Sequence, residues 1–276
     1  MSEAEFTSEA EFDEEVFLFP ASFGQERLWL LDRLGAGSAY HVAGGLRISG
    51  ALDVPVLERA VGEVIARHES LRTRFAWTDG ALHQVVAPAG PPVVPVADVP
   101  GGEDGLTGWL DSVAEEPFDL ADGPLIRIVV GRLGDGEWAV GLVVHHAVVD
   151  GWSLGIVLRE LGLLYGAFAS GAEVSPLPEL DLQYGDFAVW QREELTDEVL
   201  AEQLAHWTET LAGASALDLP TDRPRGEQAS SYRAGSVPVL IPAARVEQLR
   251  GVVGVGRATV FQGLLASFAS VAGRWS

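Results

Sequence analysis

The sequence predicts an α/β fold in which helices lie on β-sheet, an α+β sandwich. Three observations carry that prediction. Apolar runs at 124–130 and 138–144 flank Gly134-Asp135-Gly136, the composition of a hairpin turn. Leu57, Ala60, Val61, Val64 and Ile65 recur at helical spacing behind Asp53, a good helix cap. Leu154, Val157, Leu158, Leu161, Leu164 and Tyr165 repeat that spacing in a second, more apolar segment.

The elements follow in chain order. Residues 1–19 carry seven acidic and no basic side chains, and Ser2-Glu3-Ala4-Glu5-Phe6 recurs as Ser8-Glu9-Ala10-Glu11-Phe12. This composition predicts a flexible, solvated tail. Ser22 starts a helix expected to bury Leu28, Leu31 and Leu34. Leu46 and Ile48 alternate as a strand, and Asp53 opens the helix named above. Leu71, Thr73 and Phe75 alternate with Arg72 and Arg74, so a strand begins there. Residues 82–86 and 93–96 read as short strands around a proline-rich loop, and 106–116 as a helix. The hairpin strands come next, and the apolar helix runs to about Phe168. Residues 169–178, rich in Gly, Ser and Pro, read as a linker between lobes 20–178 and 179–276. Later come helices at 198–211 and 243–253, a strand at 237–241, and a helix from 260 to 272 capped by Thr259.

Composition excludes several kinds of chemistry. The chain has 276 residues and a formal charge of −22, which argues against nucleic-acid and anionic-membrane partners. All 18 basic residues are arginine, so no lysine serves as Schiff base or general base. There is no cysteine, hence no disulfide, thiolate nucleophile or cysteine-bound metal. No apolar run reads as long enough to span a bilayer and no signal peptide is evident, so a cytoplasmic protein is expected.

The most informative stretch is Val143-Val144-His145-His146-Ala147-Val148-Val149-Asp150-Gly151-Trp152-Ser153. Neighbouring strand residues face opposite ways, so His145 and His146 divide between a packed site and an open one. Gly151 allows a sharp turn or close passage of a ligand, and the following helix aims its free N–H groups at this corner. Adjacent strand positions diverge and no third ligand is near, which argues against zinc; metal ligands: none. No Gly-x-Ser-x-Gly elbow exists for a serine nucleophile.

Written as His-His-x-x-x-Asp-Gly, this run resembles the signature of nonribosomal peptide synthetase condensation domains, of the chloramphenicol acetyltransferase-like superfamily. Three further stretches resemble the same family. Ser22-Phe23-Gly24-Gln25-Glu26-Arg27-Leu28-Trp29 is similar to its opening motif, in the form found downstream of an L-configured donor residue. Arg67-His68-Glu69-Ser70-Leu71-Arg72-Thr73-Arg74-Phe75 is similar to its second, and Tyr184-Gly185-Asp186-Phe187-Ala188-Val189-Trp190 to its fourth. Leu219-Pro220-Thr221-Asp222-Arg223-Pro224 also looks like the family.

The resemblance implies a catalytic lobe followed by an incomplete second lobe of the same type. It implies amide formation between a carrier-bound acyl thioester and a carrier-bound amine. The partners would be donor and acceptor carrier proteins with phosphopantetheine arms, and an adenylation domain; no cofactor is held covalently. His146 matches the catalytic histidine and His145 the packed one. Asp150 is expected to pair with an arginine, Arg67 first and Arg72 second. Gly151 N–H is a candidate oxyanion donor, and Trp152 and Ser153 are expected near substrate. Cyclising relatives have aspartates for the histidines, and epimerising ones favour Ser-Trp where this chain has Trp152-Ser153. Two other readings are a free-standing acyltransferase using coenzyme A or a carrier, and a non-catalytic carrier-binding module. The acidic tail, with Phe6, Phe12, Phe17 and Phe19, is a candidate docking element for another synthetase protein.

Overall fold

The structure is a computed structural model that describes residues 16–215, 220–222 and 237–275. It divides into two compact units, residues 1–200 and 201–276. The first holds two sheets. Strands β1 (Phe17–Pro20), β4 (Ala81–Val86) and β3 (Thr73–Thr78) form one, in the order β1-β4-β3. Strands β2 (His41–Ser49), β7 (Glu137–His145), β6 (Ile126–Gly134) and β5 (Val96–Asp98) form the other, in the order β2-β7-β6-β5.

Around them lie α1 (Phe23–Arg33), α2 (Val54–Arg67), α3 (Leu106–Glu115), α4 (Gly151–Ala169) and α5 (Tyr184–Glu194). Strands β6 and β7 form the expected hairpin and lie inside the larger sheet, so they are apolar on both faces. On one face Val140, Leu142 and Val144 join Leu57, Val61 and Val64 of α2 and Val157, Leu161 and Leu164 of α4 in one core. Fully burying side chains of this kind contributes about 1.5–3 kcal/mol each. On the other face Gly141 and Gly131 leave room for α3. A Cβ on Gly131 would stand 2.9 Å from the Trp109 ring, and one on Gly141 3.0 Å from Leu110. Strand parity therefore sends His145 to the α3 face.

Several expectations need correction. Phe17–Pro20 is not part of a tail: it pairs with β4, Phe17 opposite Val86. Residues 1–15, with the acidic repeat, lie outside the described residues. Leu34 is exposed, and the buried side chain of α1 is Gln25. Sheet pairing begins at Val96, not Val93, after Pro91, Pro92 and Pro95, which lack N–H donors. Residues 237–241 are exposed and pair with no strand among the described residues; an apolar run alone does not make a strand without a neighbour. Helix α4 is long and apolar enough to cross a membrane by length and composition. Its apolar stripe is nonetheless built into the core, and its Glu160 is ion-paired to Arg67.

The first unit also runs past the boundary expected at 178/179, because α5 docks on the start of α1. Tyr184 Oη and Ser22 Oγ lie 3.0 Å apart, Phe23 N–H donates to Gln191 Oε1 (3.0 Å), and Arg192 donates to the Ala21 carbonyl (2.6 Å from Nη2). Helix α6 (Asp197–Thr210) crosses the division between the units. The second unit also contains α7 (Ala243–Val255) and α8 (Val260–Ala272), the latter capped by Thr259 with Gln262 in a reciprocal box. Of the 219–224 motif only residues 220–222 are described.

Gly185 meets the Phe19 ring so closely that an added Cβ would stand 2.8 Å from it. Gly185→Ala is expected to lower stability by about 1–3 kcal/mol through overpacking, measured by urea unfolding. No loss would mean that α5 does not pack on β1.

Candidate active site

Strand β7 ends at His145, and the chain turns at once through residues 146–148. Successive amides at this point bind opposite neighbours. His145 N–H donates to the Leu125 carbonyl (2.9 Å) and His146 N–H to the Tyr40 carbonyl (2.8 Å). The two side chains accordingly part company. His145 is 1% exposed, whereas His146 is exposed.

The His145 ring lies edge-on to His41, its partner across the strands, and to Phe118, at centroid distances of 5.9 and 6.4 Å. Its Nδ1 accepts from the Ala147 N–H (3.1 Å), so the neutral ring carries its proton on Nε2. That buried Nε2 has no hydrogen-bond partner among the described residues. Burial lowers the His145 pKa to about 4, helped by positive charge at His41 and His146. His41 is oriented in turn, its Nδ1–H donating to the Ala114 carbonyl (2.7 Å).

Asp150 caps α4. Its Oδ1 accepts from Ser153 Oγ (2.6 Å) and from Ser153 N–H (2.7 Å), and these bonds lower its pKa. Gly151 is the first residue of that helix, and beyond its chain neighbours and the helix's own backbone no atom of the described residues lies within 4 Å of where a Cβ would stand. Trp152 is 81% exposed. His146, Asp150, Gly151, Trp152 and Ser153 are thus gathered at one corner, between a strand end and a helix N-terminus.

The expected pairing of Arg67 with Asp150 is not formed. Arg67 Nε instead faces Glu160 Oε2 at 3.3 Å, and His68 Nε2 approaches the same oxygen at 2.7 Å. Arg72 pairs with Glu69 (3.3 Å). The reason lies on α4: Glu160 falls on its buried stripe with Val157, Leu161 and Leu164 and needs a cationic partner inside the protein. Asp150, exposed and bonded to its own helix, needs none.

Sequence reasoning missed Glu160, His41, Gln25 and Gln84. Glu160 was recognisable as an acid on an apolar helical stripe. Gln25 stands three residues after Ser22 and three before Leu28, at core spacing. His41 and Gln84 carried no local signal, since only the strand pairings bring them in. Among the described residues no three His, Cys, Asp or Glu side chains converge to hold a metal. A cavity of about 990 Å³ opens among Ile65, Leu71, Pro92, Phe118, Ile126 and Arg127, and none of residues 145–153 lines it.

With this geometry in view, comparison with known proteins is decisive. The sequence model of the Condensation domain matches residues 18–276. The chain belongs to the condensation-domain family. Similar curated proteins include Malpibaldin synthetase of Mortierella alpina, 40% identical over 262 residues. That match covers 92% of this chain and 5% of the synthetase. Phosphinothricin tripeptide synthetase PhsC of Streptomyces viridochromogenes is 38% identical over 93% of this chain and 24% of its own length. The chain thus spans a small part of the curated relatives it matches. Among solved structures, the X-domain from teicoplanin biosynthesis superposes with TM-score 0.80 at 31% identity, covering 98% of this chain and 59% of that one. The starter condensation domain of rhizomide synthetase RzmA, at TM-score 0.63 and 21% identity, shares the fold over 72% of this chain and 49% of its own.

The electrostatics of the corner set its response to pH. Between pH 6.5 and about 4 the unfolded chain binds a proton at residue 145 that the folded chain does not. Stability therefore falls as pH drops through that window. Urea unfolding at pH 7 and pH 4.5 should show a smaller fall for His145→Gln than for the native chain; equal falls would contradict a neutral, buried His145. Asp150→Asn keeps a good helix cap and is expected to be nearly neutral, while Asp150→Ala costs about 1 kcal/mol. A severe loss in Asp150→Asn would point back to an ion pair.

Proposed function

We propose that this condensation domain joins a carrier-bound acyl or peptidyl thioester to the amine of a carrier-bound aminoacyl group, forming an amide. The observation that carries the reading is the exposed His146 imidazole on a fixed strand end beside the open N-terminus of α4. A thioester is already activated and an amine is a good nucleophile, so no covalent enzyme intermediate is required. What the protein must supply is orientation, one proton acceptor and stabilisation of the oxyanion.

In this reading His146 receives the proton of the attacking amine or holds that amine in line. Imidazole is the side chain most often used to take up a proton near neutrality. His145 is the packed partner that fixes the strand end. Asp150 and Ser153 hold the helix start, and Gly151 leaves space for a pantetheine arm and offers its N–H to the oxyanion. Carrier proteins bring both substrates, and an adenylation domain loads them. The Ser22–Trp29 motif supports the L-donor subtype.

A second reading is supported by one comparison. The X-domain from teicoplanin biosynthesis was solved in complex with OxyB, and that complex matches with TM-score 0.80 at 30% identity. In that reading the present domain recruits a partner and performs no turnover. The experiment is amide formation from carrier-loaded substrates by the synthetase that carries this chain. His146→Ala is expected to lower turnover by about 10²–10⁴-fold, the usual range for a general base. Unchanged product formation would overturn the catalytic role, and an inactive native domain that still binds a partner would favour recruitment.

A further inference from the structure

We propose that Gln25 and Gln84, remote in sequence from the histidine run, form a buried positioning pair that fixes the turn carrying His146. The inference rests on the reading of His146 as the reactive imidazole. Gln25 is 1% exposed, and every polar site of its side chain is engaged. Its Oε1 accepts from Ser22 N–H (2.9 Å). Its Nε2 donates to Gln84 Oε1 (2.9 Å) and to the Ala147 carbonyl (3.2 Å). Gln84 Nε2 donates onward to the Pro20 carbonyl (3.0 Å).

The polarity is over-determined. Ser22 N–H demands an acceptor at one end of the Gln25 amide, and Ala147 C=O demands a donor at the other. Only a carboxamide supplies one acceptor and two donors from a single planar group. Glutamate has the same shape but presents an oxygen to the Ala147 carbonyl. Methionine fills a similar volume with no donor.

Ala147 is held from both sides. Its carbonyl receives Gln25, and its N–H donates to His145 Nδ1, which selects the His145 tautomer. The residue next to His146 thus joins a buried amide network to the imidazole pair. The outer end of the network is anchored too: Ser22 Oγ meets Tyr184 Oη, and Arg192 grips the Ala21 carbonyl. Gln25 touches no reacting group in this scheme; it acts through the turn, as a positioning residue.

The test needs no turnover and so stands apart from the catalytic reading. In the isotope-labelled chain at neutral pH, amide hydrogen exchange at Ala147 and the ring-nitrogen shifts of His145 are compared between native and Gln25→Met. Loss of the network is expected to speed Ala147 exchange about tenfold relative to the Val130 amide, which bonds the Pro95 carbonyl from β6. The His145 nitrogens should move from the Nε2–H pattern toward a mixture of tautomers. A role in packing alone would leave both signals in place, because methionine preserves the volume.

Gln25→Met leaves Gln84 without its donor and lowers stability for that reason alone. Gln25→Met/Gln84→Met removes both members; it also takes the side-chain partners from Ser22 N–H and from the Ala147 and Pro20 carbonyls, so it is expected to be no more stable than Gln25→Met, with the turn equally loose. Unchanged exchange and tautomer in either folded variant would overturn the proposal.

Discussion

The successive amides of His145 and His146 are pinned by two hydrogen bonds of opposite direction, one to Leu125 and one to Tyr40. One amide belongs to the β6 side of the sheet and the next to the β2 side. Because the backbone is fixed there, side-chain parity is fixed as well, and two adjacent histidines take unlike environments. One imidazole becomes a sealed, neutral structural group. The other is presented to whatever approaches the strand tip. The remaining features of the corner act on this division: Asp150 and Ser153 hold the helix start, and Ala147 links His145 to the buried amides of Gln25 and Gln84.

The neutral state of His145 is itself structural. Its Nδ1 is occupied by an incoming N–H, its Nε2 has no partner among the described residues, and a second imidazole lies 5.9 Å away between ring centroids. A proton added there would place a charge in a dry site beside His41. Asp150 is bonded to Ser153, and Glu160 faces Arg67 and His68; neither pairs with His145.

Much of this was legible in the sequence because the signals were local. An apolar run ending at two histidines, Asp-Gly before an apolar helix, and caps at Ser22, Asp53 and Thr259 each depend on residues within one turn or one strand. What was not legible depends on pairing between distant segments. The ion pair expected at Asp150 forms ten residues on, at Glu160, because a capping carboxylate on the surface has its hydrogen bonds and a buried one does not. Phe17–Phe19 was read with the acidic tail because charge dominates its neighbours; only the partner strand β4 makes it part of a sheet. The strand expected at 237–241 had an apolar composition and no strand beside it among the described residues.

The central claim, that two neighbouring imidazoles are separated into one open and one sealed, is tested most directly by residue-resolved chemical modification of the native chain. Diethyl pyrocarbonate at pH 7, followed by fragmentation mass spectrometry across residues 140–153, measures each acylation rate. Rapid labelling of His146 is predicted, with His145 labelled only after unfolding. Equal rates, or faster labelling of His145, would contradict the claim.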